Sequence, residues 1–160
     1  FKAVTAEPIA RVNYKTKRID LLDKFNKKQK SKRKIMPFDE KLKIGILKSH
    51  PNMFADEILA YKNFDGLIIE GTGLGHMPIN ESKENLKLLD AIKQIANKIP
   101  VVMSTQTIYG SVNMNVYSTG RKLIEANVLG NMNNLTPEST FIKLAWILSN
   151  KLNAKKYFGE

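Results

Sequence analysis

The sequence predicts an α/β domain, a small three-layer unit on a parallel sheet, preceded by a short hairpin and a basic connector. Three observations predict it. Short apolar runs alternate with stretches whose apolar residues recur every three or four positions. Each run ends in a polar or glycine-rich loop before the next helical stretch, the order that yields parallel strands joined by right-handed crossovers. Finally, most of the net charge of +11 sits in one segment, which separates the connector from the rest. The expected division is 1–38 for the hairpin and lysine-rich connector, and 39–160 for the α/β domain.

The elements follow in order. Pro8–Asn13 and Lys17–Asp20 alternate weakly around Tyr14-Lys15-Thr16 and predict the hairpin. The stretch from there to Pro37 has few large apolar residues and little reason to pack. Leu42–Leu47 reads as a strand, followed by the loop Lys48–Asn52. Ala55–Tyr61 reads as a short helix, with Asp56 and Glu57 in its first turn, where the helix dipole favours negative charge. Gly66–Glu70 is the second strand and runs into Gly71-Thr72-Gly73-Leu74-Gly75-His76. Asn80–Asn97 is a helix; Leu88, Ile92 and Ile95, with Ile99 just past its end, fall at the spacing of one buried face, widened by Leu89 and Ala96. Pro100–Ser104 is nearly all apolar, as befits a strand covered on both faces. Tyr117–Ala126 is a helix closed by Asn127. The last helix begins at the N-cap Thr136, with Pro137 at its first position, and repeats Phe141, Leu144, Ala145 and Leu148 beside Trp146.

Composition narrows the function classes. A chain of 160 residues suffices for one compact domain. No apolar run approaches the roughly 20 residues of a membrane helix, and no signal peptide is visible. The absence of cysteine excludes disulfides and thiolate metal sites and leads us to expect a cytoplasmic protein. Between Lys15 and Lys34, ten Lys or Arg face only Asp20 and Asp23, a local charge of +8. Such a run in a polar segment is more often a solvated linker than a nucleic-acid footprint, and Phe25 is its one aromatic residue. A tRNA-binding module is the competing reading.

In a parallel sheet, sites form beyond the carboxyl ends of the strands. The loops at 49–51, 71–76 and 104–110 all follow strands and should meet at one edge. The glycines at 71, 73 and 75 do not match a dinucleotide fingerprint. Their spacing is G-x-G-x-G rather than G-x-G-x-x-G, and Pro78 separates them from the next helix. The plain reading is a tight strand-to-helix turn; the functional one is a loop presenting Thr72 and His76 to a neighbouring chain. His50 and His76 are the only histidines, and neither lies among clustered carboxylates, so no metal and no cofactor is expected. The run Ser104-Thr-Gln-Thr-Ile-Tyr-Gly110 is rich in hydroxyls but contains no base to activate one.

Three stretches together carry a family resemblance. They are Gly66-Leu-Ile-Ile-Glu-Gly-Thr-Gly-Leu-Gly-His-Met-Pro78, Pro100-Val-Val-Met-Ser-Thr-Gln-Thr-Ile-Tyr-Gly-Ser-Val-Asn-Met-Asn-Val-Tyr-Ser-Thr-Gly-Arg121, and Met132-Asn-Asn-Leu-Thr-Pro-Glu-Ser-Thr-Phe-Ile-Lys-Leu-Ala-Trp146. From about Lys43 to Ser149 the chain resembles the C-terminal domain of bacterial-type asparaginases. The opening Phe1–Ala10 is similar to the segment that leaves the N-terminal domain in that family. Within it, Glu-Gly-Thr-Gly-Leu-Gly-His and Asn-Val-Tyr-Ser-Thr-Gly-Arg most resemble the branch formed by the asparaginase-like D subunits of archaeal glutamyl-tRNA(Gln) amidotransferases. Free L-asparaginases more often have Asn where this chain has His76.

The resemblance implies an amidohydrolase that releases ammonia from glutamine or asparagine, which a partner subunit uses to convert Glu-tRNA to Gln-tRNA. It also implies that the catalytic threonines lie in an N-terminal domain, so this chain carries no catalytic residue of its own. That domain is expected as a separate chain or a removed segment, and the complete unit as a homo-oligomer. Thr72, Gly73, Gly75 and His76, with Asn115 and Tyr117, map onto loops that reach the active site of the adjacent subunit. An effector-like site maps onto Glu70, Gln106 and Thr107. Relatives that bind asparagine there have Arg in place of Glu70, and an α-carboxylate would meet Glu70 unfavourably. The alternative within the family is part of a free L-asparaginase.

Overall fold

The computed structural model describes residues 4, 7–30, 34–80 and 82–159. Strands β1 (Ala10–Val12) and β2 (Ile19–Leu21) pair antiparallel as the expected hairpin, with Val12 opposite Ile19. The Asn13 side chain closes the turn by accepting the Lys15 and Thr16 backbone N–H groups. The connector's described residues form no helix or strand and are almost all exposed. Its far end is tied to the domain: Asp39 N–H donates to Ser149 Oγ at 2.8 Å, and Asn150 Nδ2 donates to the Pro37 carbonyl at 3.3 Å.

The domain is a three-stranded parallel sheet in the order β3 (Ile44–Lys48), β4 (Gly66–Gly71), β5 (Val101–Thr105). Its register sets Ile46 beside Ile68 and Ile68 beside Val102. Because side chains alternate along a strand, β4 and β5 supply two cores. Leu67, Ile69, Val101 and Met103 face one layer, whose helices are α1 (Ala55–Leu59), α2 (Lys83–Ala96) and α3 (Ser118–Glu125). Ile68 and Val102 face the other, made by α4 (Pro137–Ser149) and α5 (Ala154–Phe158). Two covered faces explain why these strands read as unbroken apolar runs.

Helix starts follow their caps. Ser82 Oγ accepts the Asn85 N–H, and Thr136 Oγ1 accepts the Ser139 N–H, with Pro137 in the first turn. Asn127 closes α3 with φ +63, the left-handed conformation that Asn tolerates.

The structure corrects three details. The fully buried face of α4 is Thr140, Leu144 and Ile147, while Phe141, Ala145 and Leu148 are half-buried. Helix α5 follows α4 as a further element; Lys143 Nζ anchors it by donating to the Tyr157 carbonyl at 2.8 Å and lying 4.3 Å from the Phe158 ring centre. Leu129 adds a one-residue parallel bridge beside Val102, through Met103 N–H to Leu129 O and Leu129 N–H to Val101 O, each 2.8 Å.

Candidate functional site at the carboxyl edge of the sheet

The three loops that follow the strands meet, and Gln106 joins them. Its side-chain amide donates to Ser49 O at 2.6 Å and to Glu70 O at 2.9 Å, and its backbone N–H donates to Gly71 O at 2.9 Å. Both side-chain donors are therefore spent on strand-end carbonyls, which makes Gln106 a staple across β3, β4 and β5. Thr107 Oγ1 lies 3.1 Å from Thr105 Oγ1, and the Thr105 hydroxyl donates to Gly73 O. Of the three effector-like positions, Glu70 presents a half-buried side chain with no ion pair among the described residues.

The 71–76 loop folds on itself. Thr72 N–H donates to His76 O, and His76 N–H donates to Thr72 O, each at 2.9 Å. Gly75 has φ +92 and is buried; a Cβ there would stand 2.8 Å from Val112 and 2.9 Å from Met103. Gly73 has φ +50, is exposed, and has open space where its Cβ would be. The loop is thus packed on one side and open on the other.

His76 lies on the packed side. Its ring meets Tyr117 edge-on, with centres 5.2 Å apart. Its Nε2 is buried and has no hydrogen-bond partner among the described residues. Burial pushes the imidazole below its ordinary pKa, opposed by a backbone hydrogen bond at Thr72, so the ring is neutral at pH 7. A neutral imidazole with a free nitrogen can donate or accept one hydrogen bond according to its tautomer.

Tyr117 and Asn115 lie in the long loop from β5 to α3. Asn113 N–H donates to Leu74 O at 2.9 Å and ties this loop to the 71–76 loop. Thr72, Gly73, Asn115 and Tyr117 are all exposed. The same long loop exposes Ile108, Tyr109, Val116 and Tyr117, each by about half or more.

Arg121 gives no signal in the apolar periodicity. Its guanidinium donates to Asn115 O at 2.8 Å and Val116 O at 3.4 Å, fixing the backbone that presents Asn115 and Tyr117. The available clue is electrostatic: a cation in the first turns of a helix opposes the dipole, so it needs another task.

His50 lies elsewhere in function. Its Nε2 sits 3.0 Å from Glu57 Oε2, while Glu57 Oε1 accepts the Phe54 N–H at 2.8 Å. That backbone bond, then His50, holds the Glu57 carboxyl below its usual range. The pair secures the entry of α1.

Among the described residues, no Ser or Thr hydroxyl is hydrogen-bonded to an imidazole or an amine, the arrangement an activated nucleophile needs. No group of three or more His, Asp or Glu among them is placed to hold a metal, and no helix is long and apolar enough to cross a membrane.

Comparison with known proteins locates this architecture. Residues 43–157 match the glutaminase/asparaginase C-terminal domain. The chain is 37% identical over 152 residues to the D subunit of glutamyl-tRNA(Gln) amidotransferase from Methanobrevibacter smithii, covering 92% of this chain and 33% of that protein. It is 35% identical to the same subunit from Pyrococcus furiosus, covering 100% of this chain and 37% of that one. The chain thus spans about a third of the length of these curated relatives. In structure it is similar to the thermostable L-asparaginase from Thermococcus kodakarensis, with TM-score 0.80, 25% identity, 97% of this chain and 45% of that chain. It is also similar to L-asparaginase I from Vibrio cholerae, with TM-score 0.76, 26% identity, 95% of this chain and 44% of that chain.

Proposed function

The chain belongs to the glutaminase/asparaginase family as its C-terminal domain, and from this premise we propose that it completes the active site of an amidohydrolase whose nucleophile lies in an N-terminal domain. The observation that carries the reading is the open side of the carboxyl edge. Thr72, Gly73, Asn115 and Tyr117 are exposed, the neutral His76 against Tyr117 keeps a buried nitrogen without a partner among the described residues, and no activated hydroxyl accompanies them there. Such an edge can bind and orient an amide-bearing amino acid, but another segment must attack it.

The parts divide the work as follows. The N-terminal domain, as a separate chain or a further segment, supplies the nucleophile and its base, and ammonia leaves from the amide. In a homo-oligomer the 71–76 loop enters the neighbouring subunit's pocket: Gly73 lets backbone approach, while Thr72 and His76 offer polar groups. Asn115 and Tyr117 line the same pocket. The exposed apolar side chains of the β5–α3 loop support burial against that neighbour. By itself the chain releases no ammonia.

The likeness to the amidotransferase relatives supports ammonia supply for converting Glu-tRNA(Gln) to Gln-tRNA(Gln) with a partner subunit, in the cytoplasm. The similarity to two L-asparaginases favours the second reading, part of a free L-asparaginase. Effector binding at Glu70, Gln106 and Thr107 is no part of the proposal, since the Gln106 amide donors are already used. The test is steady-state ammonia release from glutamine and from asparagine by the full-length protein, with and without partner subunit and Glu-tRNA. Use of glutamine with a response to the charged tRNA supports the first reading. Strong selectivity for asparagine and indifference to tRNA moves the assignment to the second.

A further inference from the structure

The carboxyl edge leaves one large chemical feature unused. Seven of the eleven residues from 24 to 34 are Lys or Arg, and none is acidic. Lys24, Lys27, Lys28 and Lys30 are exposed, as are Lys15 and Lys17 in the hairpin turn, and none of these six forms an ion pair among the described residues. Among the described cations of this segment Arg18 alone pairs, with Asp20 at 2.6 Å. Like charges this close in sequence repel, and nothing in the described chain offsets them. A polyanion does.

Two exposed rings accompany the cations. Tyr14 stands at the hairpin turn with 82% of its surface exposed, and Phe25 lies within the connector at 58%. An acidic protein surface would be matched by the lysines alone and gives these rings no role. An anionic membrane favours a helix with an apolar face, and the described part of 22–30 is neither helix nor strand. A nucleic acid uses both features, since phosphates take the lysines and unpaired bases stack on rings.

We propose that the segment Tyr14–Lys30 is an RNA contact in which lysines neutralise backbone phosphates and Tyr14 and Phe25 stack on unpaired bases. The proposal rests on the transamidation reading, in which the amide acceptor is carried by an RNA. It gives the connector a partner: Tyr14 joins Phe25 as an exposed ring, and the described lysines are unpaired.

The experiment is a salt series of fluorescence anisotropy with labelled tRNA transcript and full-length protein. The variants are the quadruple Lys24→Gln, Lys27→Gln, Lys28→Gln, Lys30→Gln and the single Tyr14→Ala. If each of the four lysines neutralises a phosphate, the slope of log K against log salt should shrink by about 3, and affinity near 0.1 M salt should fall at least roughly tenfold. Tyr14→Ala should weaken binding with the salt slope unchanged. Ammonia release from free glutamine should be unaltered in both, which shows that they fold. Unchanged affinity and slope in the quadruple variant overturn the proposal. So does binding of anionic phospholipid vesicles or polyglutamate through these lysines without tRNA affinity. An enzyme that prefers asparagine yet binds tRNA through these lysines would break the transamidation reading and keep this one.

Discussion

The two sides of the 71–76 loop answer to different constraints. On the inner side, a Cβ at Gly71 would lie 2.7 Å from Met103 Sδ and 2.8 Å from the Gly75 backbone, and one at Gly75 would strike Val112 and Met103. On the outer side, Thr72 and Gly73 are exposed, and a Cβ at Gly73 would meet nothing within 4 Å. The fold therefore accounts fully for Gly71 and Gly75. For Gly73 it supplies only a positive φ, which Asn also adopts. An inner side shaped by packing and an outer side left free is what a rigid platform for a neighbour requires.

The largest effect should come from the inner side. Gly75→Val places a β-branched residue at φ +92 against Val112 and Met103, and strain plus overpacking should cost more than about 3 kcal/mol. Urea unfolding measures it, and a variant as stable as the parent would erase the distinction between the two sides.

His76, whose ring and unpartnered Nε2 both lie on the inner side, comes next. His76→Ala in the full-length enzyme should lower kcat/KM by roughly tenfold, the value of one hydrogen bond in a desolvated site. A pH test sharpens this. The folded pKa lies below the ordinary 6.5, so the unfolded chain takes up the proton first. The stability linked to His76 is complete above about 6.5 and is lost as pH falls through the folded pKa. Urea midpoints between about pH 7.5 and 5 should fall for the parent and stay flatter for His76→Ala; equal slopes would remove the buried-imidazole account.

Much of this is legible in the sequence, because the strongest signals are local and periodic. Unbroken apolar strands, the Thr136-Pro137 cap and the Leu88, Ile92, Ile95 face need only residue identity and spacing. The loops at 49–51, 71–76 and 104–110 can be placed together because parallel strands bring their carboxyl ends to one edge. What stays hidden depends on tertiary contacts. The staple at Gln106 acts across three loops, and its two carbonyl partners have no sequence mark. Helix α5 spans only five residues, too short for a periodicity to show. Ile147 is masked by the fully apolar run around Trp146, and Arg121 acts on backbone carbonyls that any residue would offer.

Smaller effects belong to single hydroxyls and caps. Thr72→Val should lower catalytic efficiency by about 2- to 13-fold if its hydroxyl bonds substrate, and should cost no more than about 1 kcal/mol of stability for the exposed 3.3 Å bond to His76 O. Substitution at Glu57, whose carboxylate is engaged with the Phe54 N–H and His50, should move stability alone. Glu57→Gln should cost about 0.3–1 kcal/mol at pH 7, as a charge lost at a helix N-terminus. The Glu57 pKa is depressed, so its contribution is present above about 4.5 and is lost as pH falls through the folded value. A change in ammonia release by Glu57→Gln would tie that helix entry to the chemistry.

The most direct test is Gly73→Asn in the full-length protein, measured by both ammonia release and urea unfolding. Asn accepts the φ of +50, and its Cβ has open space in this chain, so stability should stay within about 0.5 kcal/mol. If a neighbouring subunit's backbone approaches Gly73, the added side chain displaces it, and kcat/KM should fall by at least about tenfold. Unchanged kinetics with unchanged stability would mean that the outer side is only a turn, and that this domain does not complete an active site.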